Sequence, residues 1–369
     1  MAITDAELDE MVAKFRERIG STFALVPINK TVTDDVIRRY ALGVGDDNPL
    51  FVDPEYAGSS PWGGVIAPPS FLLTAVKTRS QGLPGLHGLF CGVDIVHERP
   101  VRAGEQLGAV NHVHSIEEKF GNYTGRSFLQ SSMTTYQCGD EVVGKAQSFV
   151  FRVRRDKAKE SSKYKKLDRK SFTDEEMRDI QQRYLDEVGR RRGAGKLDLD
   201  TINVGDAIPS LIKGPLAVSD IICWLNGVGT GVFVRSSRQW YEYLSRHPKA
   251  GIKNDYGVWD SPEIVHWDER LAANIGMPGP YDYGWQRIAW LGHLVTDWIG
   301  DHAWVQRLKV DLKAPNYVGD LTTLTGTVTE VDHAAGAVTV DIAATDHRGR
   351  VTAKGFARVL AGRPEGGAR

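Results

Sequence analysis

The sequence is poor in features that mark several specialised classes of protein. Only three of its 369 residues are cysteine, Cys91, Cys138 and Cys223, and no two of them form a CxxC pair. An odd number of widely spaced cysteines argues against a disulfide framework and against a structural zinc site. We therefore expect three free, buried thiols in the reducing cytosol.

The sequence also lacks charge imbalance and long apolar runs. A formal net charge of -1 gives no overall attraction to nucleic acid or to anionic membranes. No apolar run approaches the ~18 residues of a membrane-spanning helix, and Met1–Arg18 lacks the apolar core of a signal peptide. The basic stretch Arg154–Ser171 is interpreted as a solvated linker, because Tyr164 is its only aromatic residue. The expected location is cytoplasmic, with no nucleic-acid or membrane partner.

The pattern of the first third changes from helical to extended. Helical periodicity covers residues 5–19 and 33–42. After Pro68-Pro69, the apolar run from Phe71 to Val76 predicts one buried helix. Between Phe90 and Val153, alternating segments separated by turns predict β-strands. Helices followed by a run of antiparallel strands indicate an α+β fold.

The last third of the chain repeats the first at an offset of 215 residues. The coinciding positions are Asp53 and Asp268, Ala57 and Ala272, Pro100 and Pro315, and Gly104 and Gly319. A second apolar helix is predicted over residues 285–298, again followed by strands. We predict two copies of one unit, over residues 1–155 and 201–369, joined by a charged linker and helix over residues 156–200.

The segment Asp46-Asp47-Asn48-Pro49 with Tyr56-Ala57 resembles the motif of the MaoC-like, (R)-specific enoyl-CoA hydratase family. In that family an Asp stands five residues before a His, with Asn-Pro between them. Two copies in one chain resemble its double-hotdog members of the FAS1-like dehydratase type. The resemblance implies a double hotdog, in which each copy has a long buried helix wrapped by an antiparallel sheet.

The resemblance also implies a reaction. The family His takes a proton from a water that attacks C3 of an enoyl thioester, and the Asp positions that water and helps to supply the proton at C2. Backbone N–H groups at the start of the buried helix hold the carbonyl oxygen. The expected activity is reversible hydration of a 2-enoyl-CoA, or dehydration of a 3-hydroxyacyl-CoA. The acyl group travels on coenzyme A or an acyl carrier protein, no other cofactor or metal is expected, and hotdog chains would form homo- or hetero-oligomers.

Both copies depart from the family motif. In the first, Phe51 stands at the His position, and a phenyl ring accepts no proton. In the second, His266 fills that position, but Ser261 stands five residues earlier and Asp260 lies one residue too early. We predict His266 as the catalytic base and Asp260 as its partner, brought inward by a bulge, with Glu263 as the next carboxylate.

Further candidates surround these residues. Asp282 and Tyr283 precede the second buried helix and are predicted to position substrate, whereas Gly284 and Trp285 are predicted oxyanion donors. The degenerate first copy is expected to use three of its motif residues as an acyl-pocket wall, namely Asp46, Asn48 and Phe51.

Two other functions stay open at the sequence level. A hotdog thioesterase needs a polar group at the helix, and Asp282 is the only near fit. A non-catalytic acyl-CoA-binding subunit, which completes a partner's site, is favoured by the incomplete motifs.

Overall fold

The computed structural model of the chain describes residues 4–73, 76–77, 83, 86–121, 125–154, 169–229, 235–248, 250–275 and 277–362. Residues 156–168 of the charged linker predicted over residues 156–200 therefore lie outside the described residues. The elements of the first copy are α1 (Asp5–Arg16), β1 (Thr22–Pro27), α2 (Asp34–Val44), α3 (Pro49–Val52), α4 (Pro54–Ser59), a 3-10 helix (Pro69–Leu73), β2 (Val76–Lys77), β3 (Leu86–His97), β4 (Leu107–Gly121), β5 (Gly125–Cys138) and β6 (Glu141–Arg154).

The linker comes next, and the second copy then follows the general order of elements of the first copy. The linker carries α5 (Asp174–Leu185) and 3-10 turns at Val188–Arg190 and Leu199–Thr201. The elements of the second copy are β7 (Ala207–Lys213), α6 (Val218–Val228), α7 (Ser237–Arg246), β8 (Ile252–Lys253), β9 (Trp259–Asp260), a 3-10 helix (Pro262–His266), α8 (Glu269–Asn274), α9 (Gly284–Ile299), β10 (Trp304–Leu312), β11 (Thr322–Asp332), β12 (Ala337–Asp346) and β13 (Val351–Leu360).

One antiparallel sheet runs through both copies in the order β2-β1-β4-β5-β6-β3-β10-β13-β12-β11-β7. The copies join where β3 pairs with β10, and at this junction Asp94 lies opposite Lys309. These two residues are themselves 215 positions apart, so equivalent positions of the repeat face each other across the junction. A pseudo-twofold axis therefore passes between β3 and β10, and the predicted α+β fold is confirmed.

The repeat is visible in individual backbone contacts. Isolated bridges join Ile66 to Arg102 and Tyr281 to Tyr317, both at the 215-residue offset. Hydrogen bonds repeat in the same way. The Ala67 N–H donates to the Val101 carbonyl at 2.8 Å, and the Asp282 N–H donates to the Asn316 carbonyl at 2.9 Å. The coinciding glycines, Gly104 and Gly319, both adopt a left-handed conformation, with φ of +91° and +94°, which explains why the turn keeps glycine.

The central helix α9 is apolar on most of its surface and is buried from Gln286 to Ile299. It packs against the strands of the second copy and against the 3-10 helix of the first. A helix that is apolar all round requires such enclosure. Among the described residues, no helix has both the length and the apolar character needed to cross a membrane.

In the described part of residues 69–77, the first copy lacks the helix expected after Pro68-Pro69. Within the described residues, Pro69–Leu73 is a 3-10 helix and Val76–Lys77 is a strand that pairs with β1. The apolar run is too short to pay the nucleation cost of an α-helix by itself, and the prediction was wrong at this point. The thiols also differ from expectation, because Cys223 is exposed whereas Cys91 and Cys138 are half-buried, although all three are free as predicted.

The helices α2 and α6 cross near the pseudo-twofold axis at two glycines. A Cβ atom at Gly43 would lie 2.8 Å from the Cys223 carbonyl oxygen and 2.9 Å from Gly227 Cα. A Cβ atom at Gly227 would in turn lie 3.0 Å from Gly43 Cα. The backbones therefore touch directly, and this contact fixes how the two copies meet on the side of the motif turns.

Candidate functional site

His266 ends the 3-10 helix that Ser261 caps, and its ring is held by a backbone carbonyl. Its Nδ1 lies 2.7 Å from the Tyr281 carbonyl oxygen. Because a carbonyl only accepts, Nδ1 carries the proton and Nε2 is left as an acceptor. Burial lowers the pKa of His266 to about 4, so the ring is neutral near pH 7. This is the tautomer that a general base requires.

Two tyrosines surround the His266 ring, and one of them leads to a carboxylate. Tyr283 stacks on the imidazole with ring centroids 3.9 Å apart, and Tyr281 meets it edge-on at 4.6 Å. The Tyr283 hydroxyl donates to Glu263 Oε2 at 2.6 Å, and Glu263 is only 7% exposed. Burial and the Glu263 carboxylate raise the pKa of Tyr283, so its hydroxyl keeps its proton. Glu263 is therefore linked to His266 through Tyr283.

Asp260 makes a local contact, and its predicted role as the partner of His266 stays a prediction. Its Oδ1 accepts the Ser261 N–H at 2.7 Å, where β9 ends. In the part of the chain that the structure describes, no hydrogen bond or ion pair joins Asp260 to His266. The contact is that of a turn-capping aspartate, and the carboxylate closest to the His266 ring through contacts is Glu263.

Asp282 is committed to a buried ion pair. Both of its carboxylate oxygens accept from Arg287 at 2.8 Å, and Oδ1 also accepts the Asn316 N–H at 3.1 Å. Burial raises the pKa of Asp282, whereas Arg287 opposes this rise. A carboxylate with these partners stabilises the loop before α9 rather than facing His266, and it has little capacity left to position a nucleophile.

Helix α9 begins at Gly284, directly after Tyr283, whose ring stacks on His266. Tyr283 is the N-cap residue, and its side chain makes no capping hydrogen bond. A Cβ atom at Gly284 would lie 2.4 Å from Leu312 Cδ1 and 3.2 Å from Phe90 Cδ1, and Trp285 packs edge-on against Phe90 at 5.6 Å. A side chain at this position would therefore have to displace the side chains of Leu312 and Phe90. The N–H groups of an uncapped first turn carry partial positive charge and suit a developing oxyanion.

The motif of the first copy has Phe51 where the family has a histidine, and its Asp46 lies in a buried polar cluster with a histidine of α9. Asp46 is 2% exposed, and its Oδ1 lies 3.6 Å from Nε2 of His293 on α9. The same Nε2 lies 3.3 Å from Asp297 Oδ2. Asn48 caps α3 by accepting the Leu50 N–H at 3.1 Å. Phe51 belongs to the core, and a role for these motif residues in an acyl pocket stays a prediction.

Lys213 from the second copy completes this cluster. Its Nζ lies 2.8 Å from the Gly45 carbonyl oxygen, 3.4 Å from that of Val44 and 2.9 Å from His293 Nδ1. Three acceptors match the three N–H groups of an ammonium. Burial lowers the pKa of Lys213, but several carboxylates, including Asp46, oppose this. We infer that Nδ1 of His293 accepts and that its Nε2 carries the ring proton towards Asp297.

Asp46, His293 and Asp297 have the donor types and spacing of a metal site, since one ligand atom from each lies within 4.8 Å of the others. Nε2 would have to lose its proton to bind a metal ion, and Lys213 already supplies positive charge on the other side of the ring. The donor set therefore fits an ion-pair network better than a metal ion. Sequence reasoning missed this cluster because its members come from three distant segments.

Comparisons with known proteins place the chain in a family. Residues 17–145 match the family model described as the FAS1-like, dehydratase domain region. A UPF0336 protein of Saccharopolyspora erythraea is 34% identical over 112 residues, which cover 28% of this chain and 71% of that protein. A UPF0336 protein of Streptomyces avermitilis is 34% identical over 94 residues, 23% of this chain. The chain spans 63% of the length of this second relative.

The chain belongs to the family of the UPF0336 proteins, and its first copy carries the FAS1-like dehydratase domain region. Solved structures agree on its double-hotdog fold. A MaoC-like dehydratase covers 94% of this chain and 98% of its own with a TM-score of 0.67 at 20% identity. A MaoC-like dehydratase from Phytophthora capsici covers 97% and 99%, with a TM-score of 0.54 at 13% identity. A hypothetical Mycobacterium tuberculosis protein with a double hotdog fold covers 94% and 97%, with a TM-score of 0.56 at 12% identity.

In this member of the UPF0336 family the end of the linker closes the motif turn of the first copy. Arg191 binds Asp47 of the first copy and Asp297 of the second. The Asp301 N–H donates to the Gly193 carbonyl at 2.8 Å, and a Cβ atom at Gly300 would lie 2.7 Å from that same oxygen. The segment Arg191–Lys196 thus forms a strap over the end of α9. The two copies of the hotdog unit therefore differ in structure at equivalent places.

Proposed function

We propose that the chain catalyses reversible hydration of 2-enoyl thioesters in the second copy, with His266 as general base. The observation that supports this most is the fixed neutral tautomer of His266, with Nδ1 donating to the Tyr281 carbonyl at 2.7 Å. An acceptor nitrogen thereby lies close to the uncapped start of α9. The two groups match the base and the oxyanion donors that addition of water to an enoyl thioester requires.

The proposed reaction uses few protein groups. Nε2 of His266 takes a proton from water while the oxygen of that water bonds to C3. The electron pair of the double bond moves to the thioester oxygen, which the N–H groups of Gly284 and Trp285 hold. The imidazolium then returns the proton to C2, so that one water is added and His266 is regenerated. Tyr283 and Glu263 replace the missing aspartate by holding the ring and orienting the water.

The test is turnover of crotonyl-CoA, and of a bulkier enoyl-CoA, by the purified full chain, followed as loss of enoyl absorbance. His266→Ala should lower kcat/KM by about 10²-fold or more, the size of a lost general base. His333→Ala is the matched control, because that side chain is 61% exposed on the second copy. With a pKa of about 4 for His266, kcat/KM should begin to fall only near pH 4. Full turnover by His266→Ala would contradict the proposal.

The carboxylate partner can be tested separately. Glu263→Gln keeps an acceptor for the Tyr283 hydroxyl but removes the charge, and it should slow the chemical step while leaving KM nearly unchanged. Asp260→Asn, which changes only a turn contact, should keep turnover close to that of the unaltered chain. The opposite ranking of these two variants would return the role to Asp260.

A non-catalytic acyl-CoA-binding subunit is the second candidate, because neither copy holds the intact motif of the family. In that case the chain alone would leave the enoyl absorbance unchanged, and activity would appear only after a catalytic hotdog chain is added. Release of free thiol from an acyl-CoA would instead support a thioesterase. Assembly into homo- or hetero-oligomers is also proposed from the family, and the mass of the native particle in solution tests it.

A further inference from the structure

The second copy contains a segment that the first copy lacks. In the first copy, the left-handed Gly45 that ends α2 is followed at once by residues 46–48 and by Pro49. In the second copy, the left-handed Gly229 that ends α6 is separated from Pro262 by residues 230–261. We call residues 235–248 and 250–260, which the structure describes, the insert. Its last residue directly precedes Ser261, the N-cap of the 3-10 helix that carries His266.

The described part of the insert packs mainly on itself. Trp240 of α7 is buried and donates its Nε1–H to the Trp259 carbonyl on β9 at 2.7 Å. A Cβ atom at Gly251 would lie 3.0 Å from Leu244 Cδ2 and 3.1 Å from Trp259 Cε3. The helix and the β8–β9 hairpin therefore form a small module with its own packing. This module adjoins the proposed site along the chain, so the side chains that it exposes are candidates for binding a ligand.

The insert exposes aromatic side chains to an unusual degree. Among the described residues, four large aromatic side chains are strongly exposed, and three of them lie in the insert. Tyr241 is 58% exposed, Tyr256 is 91% exposed and Trp259 is 40% exposed, whereas the fourth, Phe120, lies on a distant hairpin of the first copy. Exposed aromatic rings concentrated in one short segment are typical of binding surfaces, because their apolar faces remain in contact with water until they are covered.

Cationic side chains accompany these rings. Arg238 precedes Tyr241 by three residues on α7, so both lie on one exposed face of that helix. Arg238 pairs there with Glu242 at 2.8 Å, an exposed ion pair of little strength that a phosphate can displace. Lys253 pairs with Trp259 across β8 and β9, and its Nζ lies 5.1 Å from the centre of the indole ring. Rings for stacking together with cations for phosphate are the combination that binds nucleotides.

We propose that the insert binds the nucleotide end of coenzyme A while the thioester lies at His266. The assignment of the thioester rests on the proposed function, but binding of the nucleotide can be measured by itself. An acyl carrier protein fits less well. Its acidic surface would need a broad positive patch, whereas Arg238 and Arg246 share Glu242 at 2.8 and 3.4 Å.

The first experiment measures binding of 3′,5′-ADP to the full chain by titration calorimetry. The Tyr241→Ala/Tyr256→Ala double variant should bind on the order of tenfold more weakly, the effect of losing base stacking. Arg238→Ala/Lys253→Ala should also weaken binding, and this weakening should diminish at high salt. Phe120→Ala is the control, since its ring is equally exposed but lies outside the insert. Undetectable binding of 3′,5′-ADP by the unaltered chain would overturn the proposal.

The second experiment compares crotonyl-CoA with crotonyl-pantetheine, which lacks the nucleotide. The tyrosine double variant should raise KM for crotonyl-CoA by on the order of tenfold and leave kinetics with crotonyl-pantetheine unchanged. Equal effects on both substrates would refute a nucleotide subsite. The subsite would also be refuted if the unaltered chain efficiently hydrated a crotonyl-loaded acyl carrier protein and the double variant slowed that reaction. If neither substrate is hydrated, the proposed function fails, and the 3′,5′-ADP titration still decides the role of the insert.

Discussion

Replacing Lys213 with methionine should destabilise the protein more than any change of a surface lysine. The methionine keeps most of the length of the side chain but leaves the carbonyl oxygens of Val44 and Gly45 and Nδ1 of His293 without this donor. It also leaves Asp46 buried without a nearby ammonium. Removing one partner of a buried charged network costs about 3–5 kcal/mol, which here combines three acceptors left without this donor and the lost attraction between Lys213 and Asp46.

Guanidinium unfolding at pH 7, followed by tryptophan fluorescence, measures this loss. Lys354→Met on the exposed face of β13 is the control and should stay within about 0.5 kcal/mol of the unaltered chain. Adding Asp46→Asn to Lys213→Met should recover part of the loss, because it removes the stranded charge while Asn still accepts the Asn48 N–H. The coupling between the two sites should be about 0.5–3 kcal/mol. A cost below about 1 kcal/mol for Lys213→Met, or no recovery in the double variant, would refute the reasoning.

Two further predictions concern packing and pH. Gly43→Ala should cost about 1–3 kcal/mol of unfolding free energy, because its Cβ would meet the Gly227 and Cys223 backbone of α6; denaturant unfolding tests this, and a neutral effect would mean that the helices separate freely. His97 is buried with a pKa lowered to about 4 from 6.5, so the unfolded chain takes up its proton first and stability should fall as pH drops from about 6.5 to about 4. The contribution is about 3 kcal/mol, and a His97→Gln variant should lose that part of the pH dependence in unfolding measured between pH 7 and 4.5.

Several features of the fold follow from the sequence because they depend on local chemistry. The apolar run predicted over residues 285–298 forms α9 at Gly284–Ile299, and the glycines at 104 and 319 mark equivalent left-handed turns. The 215-residue offset, found from four identical pairs, is also the offset of the two isolated bridges. Periodicity and turn residues report directly on such elements.

The side chains at the candidate site were harder to predict because tertiary packing selects them. Spacing alone favoured Asp260, but the 3-10 geometry of Pro262–His266 places Glu263 against the Tyr283 hydroxyl, whereas Asp260 caps a turn. His293 looks like an ordinary core histidine in the sequence. Only the fold brings it to Asp46 and Lys213, each from a different segment.

The asymmetry between the copies has a physical consequence for how the chain can evolve function. A homodimer of single hotdogs must keep two identical motif turns, so any change at one site is imposed on the other. In this chain the turn of the first copy has no insert, Lys213 binds its Val44 and Gly45 carbonyl oxygens, and Arg191 closes it from the linker. The same position in the second copy receives the insert and leads to His266. Duplication within one chain therefore allows one turn to stabilise the junction while the other is free to bind substrate, and loss of turnover should follow changes near His266 but not changes that leave the Asp46 cluster folded.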